Sequence, residues 1–123
     1  MPALTHADQV DDVTAIRSVV FDYLEGINTA DRGRLEEAFH PDASLKSPGD
    51  DGALRVESIG DAIDRWAGYE PQSRDGVIRS LEITRGALAR VVFDFDGSYI
   101  DYLTLAKLRD RWVIIDKAFV PTP

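Results

Sequence analysis

The stretch DYLTLAKLRDRWVIIDKAF, Asp101 to Phe119, decides the fold. It reads as two apolar strands joined by a short charged turn, Arg109-Asp110-Arg111. Just upstream, VIRSLEIT (77–84), ALARVVFDF (87–95) and YIDYLTLAKL (99–108) are rich in β-branched and aromatic residues. They are punctuated by Arg85-Gly86 and Asp96-Gly97. Short links between long strands imply antiparallel hairpins, so the second half of the chain is expected to be a four-strand meander.

Ahead of the meander the period is helical. Thr5 to Asp8 has the form of a helix start, and Val13, Ile16, Val20, Tyr23, Leu24 and Ile27 follow at three- and four-residue spacing. Asp31 is placed to cap a short second helix with Leu35, Ala38 and Phe39 on its buried side, which Pro41 stops. ASLKS and ALRVE then read as a strand pair around the turn GDDG. Ser58 and Asp61 repeat the helix-start pattern for a third helix, IGDAIDRWAGY, which Pro71 ends. Helices first and a meander after them make an α+β protein, expected as one domain over 1–123. Helices laid across one face of a curved sheet leave a cleft at its open end, where small molecules bind.

Composition narrows the partners. Hydrophobic residues are 44% and charged residues 29%, the balance of a globular protein. The net charge of -8, from 22 acids against 14 bases, repels phosphate backbones and anionic lipids, which argues against nucleic acid and membrane surfaces. No cysteine is present, so neither disulfides nor thiolate chemistry arise. His6 and His40 offer no metal-ligand spacing, and no nucleophile elbow, phosphate loop or metal motif occurs. Neither a metal nor a cofactor is expected. With no apolar run long enough for a membrane span and no signal-peptide pattern, the expected location is cytoplasmic.

Three pieces carry a family resemblance: DYLEGINTADRGRLEEAFHPDASL (22–45), IGDAIDRWAG (59–68) and DYLTLAKLRDRWVIIDKAF (101–119). Their order resembles the nuclear transport factor 2-like superfamily, a cone-shaped fold of N-terminal helices packed on a curved antiparallel sheet. The last piece looks most like the group labelled "putative lumazine-binding". SnoaL-like polyketide cyclases and ketosteroid isomerases are more distant relatives. The superfamily hosts isomerases, dehydratases, hydrolases and binding proteins, so the resemblance implies a fold more sharply than a function. Against the ketosteroid isomerases, Tyr23 falls at a pocket tyrosine that donates to a developing oxyanion. Their general-base aspartate falls on Ser47, which cannot serve as that base, and their second oxyanion-site acid falls near Thr104. No other carboxylate is expected within reach of Tyr23.

Strand alternation, matched to the same pattern, puts Val113, Ile115, Lys117 and Phe119 on the concave side, with Tyr102, Thr104 and Ala106 and with Val91, Phe93 and Phe95. Asp94, Asp96, Asp101 and Asp116 then face outward. Lys117 is either a snorkelling or ion-paired side chain or a cation that holds an anionic or carbonyl-bearing ligand. Tyr23 and Tyr102 either supply hydroxyls to that ligand or make structural hydrogen bonds. Trp66 is a pocket lid or plain core. His40 sits at a helix end as a structural group or a pocket acid or base, and Asp42 is expected to tie down its turn. Asp101 and Asp116 are candidates for pairing with Lys107 or Arg111, or for a polar seam in a dimer interface.

The expected function is small-molecule binding in a hydrophobic, polar-tipped cone pocket, in a homodimer. If there is turnover, it is that of a cofactor-free isomerase, dehydratase or cyclase using Tyr23, Tyr102 and Lys117, with His40, Ser47, Trp66, Phe93, Phe95 and Phe119 as ligand contacts. The alternative is a non-catalytic ligand-binding or dimerisation module.

Overall fold

The computed structural model describes residues 6–123, with side chains from residue 10 onward. Thr5, the expected cap of the first helix, lies outside the described residues. Three helices, α1 (His6–Asn28), α2 (Arg32–Ala38) and α3 (Ile59–Ala67), pack on one six-stranded sheet. The strands are β1 (Ser44–Pro48), β2 (Leu54–Ser58), β3 (Gly76–Thr84), β4 (Leu88–Phe95), β5 (Tyr99–Leu108) and β6 (Arg111–Pro121). Their order across the sheet is β2-β1-β6-β5-β4-β3. The β3–β6 meander is antiparallel, but β1 joins β6 in parallel through Leu45 and Lys117, so the sheet is mixed and open.

Local chemistry explains the boundaries. The apolar stripe of α1 is buried at Ile16, Val20, Tyr23, Leu24 and Ile27, while Val13 is exposed and the neighbouring Asp12 is buried against Trp112 and Lys107 of the sheet. After Asn28 the chain closes a Schellman motif: Asp31 N–H donates to Gly26 C=O, Ala30 N–H to Ile27 C=O, and Ala30 sits at φ 51°. Asp31 then caps α2 through Arg34 N–H. That helix ends at Ala38, before Pro41, because Phe39 is extended and bridges Ile114. Ser58 caps α3 by accepting from Asp61 N–H, and the helix stops at Gly68, again ahead of its proline. Arg109 and Asp110 both have positive φ, as the twist of a two-residue hairpin demands.

Two bulges set which residues meet the helices. Arg79 is the extra residue of β3 against β4, and Ile115 is the extra residue of β6 against β5. The second one corrects the simple alternation. Trp112 and Ile114, rather than Val113 and Ile115, join Lys117 and Phe119 on the helix-covered side. Register corrects β5 as well. Asp101 stands opposite Phe119 and Leu103 opposite Lys117, so the odd-numbered residues of β5 face the helices. Tyr102, Thr104 and Ala106 lie on the other face. Asp94 and Asp116 do lie on that outer face, paired with Arg79 and Lys46. No helix among the described residues is long and apolar enough to cross a membrane.

Candidate functional site

One end of the space between α1, α3 and the sheet stays open as a cavity of about 310 Å³. Tyr23 comes from α1, Trp66 from α3, and Asp101 and Lys117 from the adjacent strands β5 and β6. Phe95, Tyr99 and Phe119 continue the wall.

At the buried end three polar groups form a chain. Lys117 Nζ donates to the Tyr23 hydroxyl at 2.6 Å, and that hydroxyl donates to Asp101 Oδ2 at 2.7 Å. The direct Lys117–Asp101 separation is 3.8 Å, so the tyrosine oxygen mediates the ion pair. Asp101 is 1% exposed and Lys117 6%. Asp101 Oδ1 is buried without a hydrogen-bond partner among the described residues. An unpartnered acceptor costs roughly 1–3 kcal/mol, so its retention needs a reason.

Burial dominates the electrostatics. Desolvation lowers Lys117 to about 8, opposed by the charge of Asp101. The Asp101 carboxyl is raised by the same loss of water, against the attraction of Lys117 and the Tyr23 hydrogen bond. Tyr23 is held well above its ordinary value by burial and then by the carboxylate beside it. The ammonium also lies 4.7 Å from the Phe119 ring centre, 4.8 Å from Tyr23 and 5.2 Å from Trp66, an aromatic cage that replaces part of its hydration.

Two arginines line the mouth. Arg65 donates to Glu57 Oε1 at 2.6 Å and to the Tyr69 hydroxyl at 2.7 Å. Arg74 lies over the Phe95 ring, and both its backbone polar groups are gripped by the Asn28 side chain. The segment after α3 is thereby pinned to the end of α1.

The model of the family described as "Putative lumazine-binding" matches residues 11–120. The chain belongs to that family. No curated protein matches it. Among solved structures, a nuclear transport factor 2-like protein from Silicibacter pomeroyi superposes with a TM-score of 0.83 at 22% identity, covering 93% of this chain and 98% of that one. A hexachlorocyclohexane dehydrochlorinase from Novosphingobium barchaimii has a TM-score of 0.72 at 14% identity, over 97% and 92% of the two chains. A ketosteroid isomerase-like protein from Erwinia carotovora has 0.66 at 16%, over 89% and 96%. These likenesses establish this family member's fold as nuclear transport factor 2-like.

Of the residues singled out in the sequence, Tyr23, Trp66, Phe95, Lys117 and Phe119 line the cavity. Phe93 is buried beneath it, against the Tyr23 and Phe95 rings. Three lie elsewhere. Tyr102 is 60% exposed on the outer face, a consequence of the one-residue register difference in β5. Ser47 borders two shallow grooves at the sheet's edge rather than the Tyr23 cavity. His40 turns outward and accepts Asp42 N–H on Nδ1, so the imidazole, not the Asp42 carboxylate, ties that turn.

The decisive correction is Asp101. A carboxylate does sit within reach of Tyr23, and it pairs with Lys117 instead of with Lys107 or Arg111. Those two bond Asp12 and Glu37. The missed signal is the Leu103-x-Leu105 pair, whose parity Asp101 shares. The sequence reading also lacks Arg65, Tyr69 and Arg74, because a mouth built from a helix end and a loop has no period to read, and Tyr99, which shares the parity of Asp101 on β5.

Proposed function

We propose that this protein binds a flat aromatic molecule carrying a ring carbonyl next to a ring N–H, of the size of a lumazine. The carrying observation is the pairing, at one end of an aromatic-walled cavity, of Lys117 with an Asp101 oxygen that lacks a partner. The lysine has N–H groups left to give after serving Tyr23, and Asp101 Oδ1 has a lone pair to fill. A donor beside an acceptor complements the O=C–N–H edge of a cyclic imide or lactam. Trp66, Phe95 and Phe119 supply stacking surface, and about 310 Å³ suits one or two fused rings. The description of the family supports this ligand class. Turnover, where it occurs, is polarisation of the bound carbonyl by Lys117 held against Tyr23, with no cofactor required.

The test is a titration with lumazine and with 1,3-dimethyllumazine, followed by quenching of tryptophan fluorescence. Lumazine should bind saturably. The dimethyl compound keeps the rings and the carbonyls but has no N–H for Asp101, so it should bind at least about tenfold more weakly, the equivalent of ~1.4 kcal/mol. Equal affinities, or no saturable binding of lumazine, would overturn the reading.

A further inference from the structure

Asp101 is joined to Lys117 in a way that a merely structural ion pair does not require. Such a pair gains most from direct contact, yet here the ammonium and carboxylate stand 3.8 Å apart with a hydroxyl between them and one carboxylate oxygen unused. The two hydrogen bonds run in one direction, Lys117 to Tyr23 to Asp101. A proton can therefore leave Nζ for the tyrosine oxygen while the tyrosine proton passes to Asp101. The products are a neutral amine, an unchanged tyrosine and a neutral carboxylic acid. Burial disfavours both charges and so narrows the gap between the two states. What remains is an unprotonated primary amine, caged by three aromatic rings, on the wall of a cavity.

We propose that Lys117 is an imine-forming amine whose Nζ condenses with the carbonyl carbon of an aldehyde or ketone held in the cavity. The proposal rests on the reading that the cavity takes carbonyl compounds, and it adds a covalent step. The nitrogen lone pair forms the N–C bond as the carbonyl π pair moves to oxygen, which takes a proton from Asp101. Asp101 then recovers a proton from the nitrogen through Tyr23. It returns that proton to the carbinolamine hydroxyl, so the C–O bond breaks and water leaves. The net change is ammonium plus carbonyl to iminium plus water. The iminium keeps the positive charge that Asp101 balances, and no oxidant or reductant is consumed. The other two lysines do not share this environment: Lys46 is paired with Asp116 and Lys107 with Asp12, both away from the cavity.

With only three lysines the experiment is simple to read. The full chain is incubated with benzaldehyde and sodium cyanoborohydride, which reduces an imine to a stable secondary amine. Adducts are located by peptide mass mapping. One benzyl group on Lys117 is expected, formed at least about tenfold faster than on Lys46, Lys107 or the terminal amine. Tyr23→Phe should slow it by a similar factor, because the proton relay is cut. Lys117→Arg should abolish it while far-UV circular dichroism stays unchanged. Labelling spread evenly over the amines, or none at Lys117, overturns the proposal, and mapping of the unmutated chain alone suffices to decide. If lumazine still binds in that case, only the covalent step falls. If lumazine fails as well, the cavity reading falls with it.

Discussion

Lys117 is the buried cationic half of an ion pair, so its removal carries a large cost. Removing it leaves Asp101 buried with the Tyr23 hydroxyl alone, and breaking one side of a buried pair costs about 3–5 kcal/mol. Lys117→Met should therefore lower the urea midpoint strongly at neutral pH, and Lys117→Met/Asp101→Asn should recover most of the loss. The unmutated protein should also respond to pH. The folded Lys117 value of about 8 lies below its ordinary 10.5. The unfolded chain thus binds more protons between those limits, and stability must climb as pH rises through them. Tyr23, shifted upward by burial, takes stability away above its ordinary 10.0. Asp101, also shifted upward by burial, contributes stability at acid pH that is lost as pH rises through its folded value. The window left to Lys117 is pH 8 to 10, where a gain on the order of 2 kcal/mol is expected. Denaturation midpoints that stay level across that window in the unmutated protein, or that rise equally in Lys117→Met, would contradict this assignment.

At the scale of elements, the junction of α1 and α2 offers a stabilising change. Ala30 occupies the left-handed position of the Schellman motif at φ 51°, where a Cβ is strained and glycine is not. Ala30→Gly should stabilise by about 1 kcal/mol, read as a higher thermal midpoint, and an unchanged or lower midpoint would count against the strain. The helices and hairpins were legible in the sequence because caps, turn dipeptides and apolar stripes are local signals. Asp31, Ser58 and Arg109-Asp110 each do their work within a few residues. What was not legible is long-range. The Ile115 bulge and the β5 register depend on the partner strand, and a one-residue slip exchanges Asp101 for Tyr102 on the cavity wall. Ile100 and Tyr102 set apolar bulk on the opposite parity, which masks the Leu103-x-Leu105 signal in β5. The match of the last strand to the isomerase pattern puts Lys117 on the cavity side, and it holds for Lys117 and Phe119 because both lie beyond the Ile115 bulge that breaks it for Val113 and Ile115. Its partner was not found, because a carboxylate facing the core contradicts the hydrophobic pattern from which the core is inferred.

For the whole molecule, the uncovered side of the sheet matters most. Leu54, Val56, Tyr102 and Val120 are exposed there, and Pro48, Leu54, Ile100, Tyr102, Ala118 and Val120 border an apolar groove. A soluble protein rarely leaves such a contiguous patch open. The predicted assembly is a two-fold dimer that packs these outer faces together. Light scattering at micromolar concentration should give twice the chain mass, and Tyr102→Glu should halve it. A monomer mass for the unmutated protein would refute the assembly.

The position of β6 in the middle of the sheet also governs the order of events during synthesis. Tyr23 and Lys117 are 94 positions apart, and β1 has no strand on its inner side until β6 arrives. At a ribosome speed of about 5–20 residues per second, α1 emerges roughly five to twenty seconds before the strand that completes its burial. During that interval the buried face of α1 and the unpaired edge of β1 stand open to water and to other nascent chains. The element that closes the cavity is therefore also the one on which protection from aggregation waits, and a ribosome pause between β5 and β6 would prolong the exposure directly.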